Sequence, residues 1–261
     1  MFGKFLTATA FALVALVPFH ANASEPTVQN AAAPTTIVTA PYMAAKPADG
    51  IYDIVILGDS LADGLHQGLT QLNKDDDTFR TVKKSKVNTG LVRSDRYDWN
   101  KAARKISQSG KYDIAIVQLG LNDLQSIREK GKKHHYPSDG WKERYIARAK
   151  ALADDLKASG LTVYWTGIPI VSQKSYPEDY AFVNGILADV ARQTGVKFVD
   201  TWTPLADAKG EFSPYHKDAD GKTQEIRNRD GVHFTPSGYL IFAGIVDDAI
   251  KADIAAMTAS N

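Results

Sequence analysis

The chain has 261 residues, 44% of them hydrophobic and 23% charged, which is enough for one sizeable α/β core and too apolar for a disordered chain. A formal net charge of +1 gives no global field toward nucleic acid or an anionic membrane surface, so a polyanionic partner needs a local basic patch. The absence of cysteine excludes disulfide frameworks, lipoprotein processing, thiol catalysis and thiolate-held metal.

At the start, Lys4 precedes an uncharged apolar run over residues 5–19, and Ala21-Asn22-Ala23 follows it. A basic residue, a short apolar stretch and an A-x-A site predict a secretory signal over residues 1–23, cleaved before Ser24 and leaving no stable membrane insertion. The run is short for a bilayer span of about 20 residues, and Pro18 interrupts it. These features predict a periplasmic or secreted protein. Residues 24–49 are rich in Ala, Pro and Thr without a sustained period and are expected to form a flexible tether. Ile37, Val38, Tyr42 and Met43 are the residues in it with the apolar character to find a groove on the domain. The folded domain is expected over residues 50–261.

Within that domain, short apolar runs alternate with longer amphipathic stretches, the pattern of β-α units and a parallel sheet. Residues 54–57, 114–117, 163–165 and 196–199 are too short for helices and rich enough in β-branched and aromatic side chains for central strands. Residues 81–88 are a more polar fifth strand nearer an edge. Tyr145, Ala149, Leu152, Ala153 and Leu156 share one helical face, as do Val183, Ile186, Leu187, Val190 and Ala191. A last helix opens with Thr235 as N-cap and Pro236 in the first turn, and carries Phe242, Val246 and Ala249 toward the core.

In open parallel sheets, ligands sit beyond the carboxyl ends of the strands. Here Gly58-Asp59-Ser60-Leu61 follows the first strand, Gly90 the second, and Gly120-Leu121-Asn122-Asp123 the third, while Asp230-Gly231-Val232-His233 precedes the last helix. In this order the four blocks resemble the GDSL, isolated-glycine, G-x-N-D and D-x-x-H blocks of the SGNH (GDSL) hydrolase superfamily. The likeness spans roughly residues 51–250. Residues 93–99 and 229–235 look like an exported bacterial branch of that superfamily.

The resemblance implies a three-layer α/β/α sandwich with a mostly parallel five-stranded sheet of flavodoxin-like order. It also implies a serine esterase that works through an acyl-enzyme. A serine hydroxyl needs a base within hydrogen-bond reach, and the base needs its tautomer fixed. Ser60, His233 and Asp230 are the candidates for nucleophile, base and orienting carboxylate. The backbone N–H groups of Ser60 and Gly90 and the side-chain amide of Asn122 are the implied oxyanion donors. A plainer role for Ser60 is helix N-cap, with Ser60-Leu61-Ala62-Asp63 as a capping box. Asp59 and Asp123 are expected to orient loops or cap N–H groups.

No cofactor or metal is implied, because His134 and His135 lack a third ligand. The run 128–135, with three lysines, an arginine and two histidines, reads as a solvated loop, with steering of an anionic glycan across the site as the alternative. The 218–221 stretch reads as a hairpin turn. Trp141, Tyr145, Trp165 and Trp202 are candidate sugar platforms, although aromatics in such places are more often core. Arg227 or Arg229 is expected to form a salt bridge that holds the loop, or else to meet a substrate carboxylate.

The expected substrate is a small-molecule or glycan acyl ester, with short O-acyl groups on an envelope or periplasmic glycan first. An O-acyltransferase using the same triad and a non-catalytic glycan-binding protein are the alternatives.

Overall fold

A computed structural model describes residues 41–43, 47–217 and 220–260, so the predicted signal and most of the predicted tether lie outside the described residues. Five parallel strands form the sheet: β1 (Tyr52–Gly58), β2 (Phe79–Ser85), β3 (Ile114–Gln118), β6 (Thr162–Thr166) and β7 (Lys197–Val199). Two short hairpins complete the strand numbering, β4 (Ile127–Glu129) with β5 (Lys132–His134) and β8 (Tyr215–Lys217) with β9 (Thr223–Glu225). The helices are α1 (Ser60–Leu72), α2 (Trp99–Gln108), α3 (Asp139–Lys157), α4 (Pro177–Thr194) and α5 (Pro236–Ala259).

The sheet order β2-β1-β3-β6-β7 reverses direction beside β1, which is the flavodoxin-like arrangement. β3 is buried at every position and β1 at all but Asp53, as continuous apolar runs covered on both faces must be. The polar strand β2 lies at one edge. β7 lies at the other, although its apolar run predicts a central strand. Its burial comes from helices and from Tyr42, whose hydroxyl donates to the Val163 carbonyl and accepts from Lys197 N–H at 2.9 Å. Met43 beside it is only 2% exposed, so the chain already packs on the domain seven residues before the boundary drawn at Gly50.

α1 packs against α5, and α2, α3 and α4 pack in succession. These two groups give the sandwich its outer layers. The run 128–135, expected as an open loop, is instead the β4–β5 hairpin, in which Arg144 and Arg148 of α3 pair with Glu129 at 3.1 and 3.5 Å.

The contact between α1 and α5 matters most for the site, because each helix begins at it. Gly64 and Gly68 lie four residues apart on the α1 face that meets α5. A methyl group on Gly68 would overlap the Tyr239 carbonyl oxygen and lie 2.7 Å from Ala243 Cβ. One on Gly64 would overlap the Tyr239 ring. Glycine thus lets α5 close onto α1, at a helix-propensity cost of about 1 kcal/mol per residue. Gly68→Ala restores propensity yet meets backbone that cannot give way. It is expected to lower unfolding free energy in urea by about 1–3 kcal/mol. A stabilised Gly68→Ala protein would show that the helices are not this close.

Candidate active site

Each strand end delivers one part of the site. After β1, the Asp59 carboxylate accepts from Leu61 N–H at 2.9 Å and caps α1. The cap is therefore Asp59 rather than Ser60, because the chain already turns helical at Ser60. That leaves the Ser60 hydroxyl free of the helix end. Ser60 Oγ lies 2.8 Å from His233 Nε2, and His233 Nδ1 lies 2.7 Å from Asp230 Oδ2.

Asp230 Oδ1 also accepts the backbone N–H groups of Val232 and His233, at 2.9 Å each. Burial pushes the Asp230 carboxyl up, but the Val232 N–H, the His233 ring and the His233 N–H outweigh it and hold the group below its ordinary value. The carboxylate is ionised at neutral pH. It accepts a hydrogen bond from Nδ1–H, so that Nε2 presents a lone pair to the serine hydroxyl.

The loop that carries Asp230 and His233 is held by Arg227. Its guanidinium lies 3.6 Å from the centroid of the Phe234 ring and donates to the carbonyls of Val232 and Ile170 at 2.8 Å each. Sequence reasoning assigned Arg227 a salt bridge or a substrate carboxylate, but its partners are carbonyl oxygens and an aromatic face, and the residue is 1% exposed. Burial lowers its pKa to about 9, still charged at neutral pH. The Ser172 N–H adds a bond of 3.0 Å to the Gly231 carbonyl, and Gly231 adopts φ +69°, a left-handed turn that glycine makes without strain.

The donors named from the motifs stand on the loops after β1, β2 and β3. Among the described residues, the N–H groups of Ser60 and Gly90 have no protein acceptor. Asn122 donates an amide hydrogen to the Thr89 carbonyl at 3.0 Å, and its side-chain amide also acts on the buried Asp59 carboxyl, lowering its pKa.

Asp123 organises this side of the site. Fully buried, it accepts from Leu91 N–H at 3.2 Å, Val92 N–H at 3.1 Å and the Tyr145 hydroxyl at 3.0 Å. A side chain on Gly90 would overlap its Oδ1, so the carboxylate seats the Gly90 loop from behind. Arg148 grips the same loop through the Leu91 and Val92 carbonyls at 2.8 and 3.1 Å. Loop orientation was the role expected of Asp123, whereas nothing in the spacing of Arg148, Tyr145 or Arg227 announced theirs.

The candidate sugar platforms fare differently. Trp141, Tyr145 and Trp165 are fully buried, with Trp141 stacked on Tyr145 at 4.6 Å and donating to the Gln125 carbonyl at 2.7 Å. They are core. Trp202 alone is half-buried. Among the described residues, no group of three His, Asp or Glu side chains is placed to hold a metal ion.

A family model described as a protein of unknown function, DUF459, matches residues 53–249. The chain belongs to this family. No curated protein matches it. Among solved structures, a GDSL-like lipase from Bacteroides thetaiotaomicron is 15% identical, covers 80% of this chain and 92% of its own, and superposes with a TM-score of 0.55. A putative acylhydrolase from Bacteroides fragilis is 16% identical, with coverage of 80% and 90% and a TM-score of 0.56. The acetylxylan esterase Axe2 from Geobacillus stearothermophilus is 17% identical, with coverage of 75% and 92% and a TM-score of 0.54. This DUF459 chain thus has the fold of the SGNH (GDSL) hydrolase superfamily, as its four blocks predict.

Asp59 gives a pH dependence that can be measured. Complete burial, reinforced by the charge of Asp123 and only partly offset by the Leu61 N–H, raises its pKa from 3.8 to about 7. A carboxyl raised on folding binds more protons in the native than in the unfolded state between these values. Its contribution therefore favours the fold at pH 4 and is lost as pH rises toward 7. Asp59→Asn keeps an acceptor for Leu61 and removes the titration. The stability of the natural chain minus that of the variant should fall between pH 4 and pH 7. A difference that stays flat would contradict the raised pKa.

Proposed function

We propose that the protein is an exported serine esterase that removes short O-acyl groups, acetyl first, from an envelope or periplasmic glycan. The carrying observation is the unbroken line from Asp230 Oδ2 to His233 Nδ1 at 2.7 Å and from His233 Nε2 to Ser60 Oγ at 2.8 Å. Export is supported by the residue pattern of the first 23 positions, and the short acyl group by likeness to acetylxylan esterases.

Ser60 Oγ attacks the ester carbonyl carbon while its proton passes to His233 Nε2, and Asp230 stabilises the resulting imidazolium. Negative charge gathers on the carbonyl oxygen, where the Ser60 and Gly90 N–H groups and the Asn122 side-chain amide receive it. Because their loops are seated by Asp59, Thr89 and Asp123, these donors need little reorganisation as the charge appears. Collapse breaks the ester C–O bond, and the His233 proton leaves with the alcohol. Water, deprotonated by the same ring, then attacks the acyl-serine, and the acid departs as Ser60 recovers its proton. The reaction needs only these side chains and water.

Hydrolysis of p-nitrophenyl acetate tests the assignment. Ser60→Ala is expected to lose about three decades or more of rate, and Asn122→Ala about 10²–10³ in kcat, the usual worth of one oxyanion donor. Equal rates for the natural chain and Ser60→Ala would end the esterase proposal. Supplying a sugar acceptor and weighing the products by mass spectrometry separates hydrolysis, which yields free acid, from acyl transfer, which yields acylated sugar.

A further inference from the structure

The net charge of the chain hides a local concentration of charge. Residues 79–112, which run from β2 through the Gly90 loop and α2 to the start of β3, hold ten lysines and arginines against two aspartates in a protein whose total is +1. Four of the ten are paired with carboxylates, Arg80 with Asp53, Lys83 with Asp63, Arg93 with Asp95 and Arg104 with Asp155, so the basic character of this flank rests on the cations left over.

Three of these cations converge on one cleft. Lys84 from β2, Lys105 from α2 and Lys111 from the turn beyond it border a cavity of about 300 Å³, with Tyr97 and Tyr112 half-buried in its wall and Trp99 buried beneath. None of the three lysines has a carboxylate within ion-pair distance among the described residues. Lysines on an edge strand also discourage sheet-to-sheet aggregation, which accounts for Lys84. It does not account for Lys105 and Lys111, which come from outside the strand and point to the same cavity.

The cleft begins beside the Gly90 loop, to which two hydrogen bonds beneath its floor tie it. Trp99 Nε1 donates to Thr89 Oγ1 at 3.1 Å, and the Thr89 carbonyl accepts from Asn122 at 3.0 Å. From there the cleft follows α2, whose ten residues span about 15 Å at 1.5 Å per residue. A ligand that fills it and still offers an ester to Ser60 must be extended.

We propose that this cleft is a subsite for an anionic polysaccharide, one whose sugar units carry carboxylates, and that it holds the chain while an acylated unit lies at Ser60. Resting on the esterase assignment, the proposal narrows the substrate from glycans in general to acidic ones. Ammonium groups meet the carboxylates, and the tyrosine faces receive the apolar C–H side of the sugar rings. A nucleic acid would satisfy the lysines, but it carries no acyl ester for the neighbouring serine.

Binding can be read without turnover, using an unacylated oligogalacturonate, a neutral xylo-oligosaccharide of equal length and a single-stranded DNA oligomer of equal charge. Isothermal titration with the natural chain is expected to detect the oligogalacturonate at least tenfold more tightly than the other two, with affinity falling as salt rises. The triple variant Lys84→Gln, Lys105→Gln, Lys111→Gln should bind it at least tenfold more weakly and still hydrolyse p-nitrophenyl acetate at the natural rate. No binding, binding indifferent to the three substitutions, or equal affinity for DNA would each overturn the subsite. A chain inert toward p-nitrophenyl acetate that still bound oligogalacturonate through these lysines would instead overturn the esterase assignment alone.

Discussion

A single hydrogen bond of 2.8 Å, from Ser60 Oγ to His233 Nε2, joins residues 173 positions apart, and the proposed chemistry depends on its length. Neither partner can reach the other by local preference. Ser60 is placed by the central strand β1 and by the Asp59 cap of α1. His233 is placed by the start of α5 and by a loop whose hydrogen bonds run to Arg227, Ser172 and Asn228. What brings the two helix starts together is the approach of α5 to α1 over Gly64 and Gly68. A displacement of an ångström there would be felt at a reaction centre that requires near-contact geometry.

The polar interior next to this bond has a consistent logic. Two fully buried carboxyls, Asp59 and Asp123, lie close enough for the charge of one to raise the pKa of the other, an arrangement that costs stability. In return each holds backbone of the loops that carry the proposed oxyanion donors, Asp59 through Leu61 N–H and Asp123 through Leu91 and Val92 N–H. Arg227 follows the same logic on the opposite side, a buried cation given to loop carbonyls and an aromatic ring. In the proposed mechanism, local stability is thus exchanged for donors and a base already in position before a charge develops.

The parts of the molecule that were legible in the sequence are those whose signal is local. The apolar runs at 54–57 and 114–117 became β1 and β3 because a strand buried on both faces must be apolar throughout. Thr235-Pro236 opened α5 because cap chemistry is written in adjacent residues. Ser60, Gly90 and Asn122 stood out as blocks after strands, and Asp230 and His233 as a block before the last helix. Long-range choices were not legible in the same way. Burial of 196–199 at an edge depends on Tyr42, 155 positions from Lys197. The part played by Arg227 depends on the Ile170 carbonyl, 57 positions away, and the glycines of α1 have meaning only against Tyr239. The unpaired lysines around α2 were masked by a total charge that averages them away.

The most direct measurement is a crystal structure of the protein after reaction with a small alkyl fluorophosphonate, whose tetrahedral phosphorus stands in for the attacked carbonyl carbon. It should show phosphorus bonded to Ser60 Oγ and its unesterified oxygen about 2.7–3.1 Å from the N atoms of Ser60 and Gly90 and from Asn122 Nδ2, with His233 still paired to Asp230. An unmodified Ser60, or an adduct whose oxygen turns away from all three donors, would contradict the proposed arrangement.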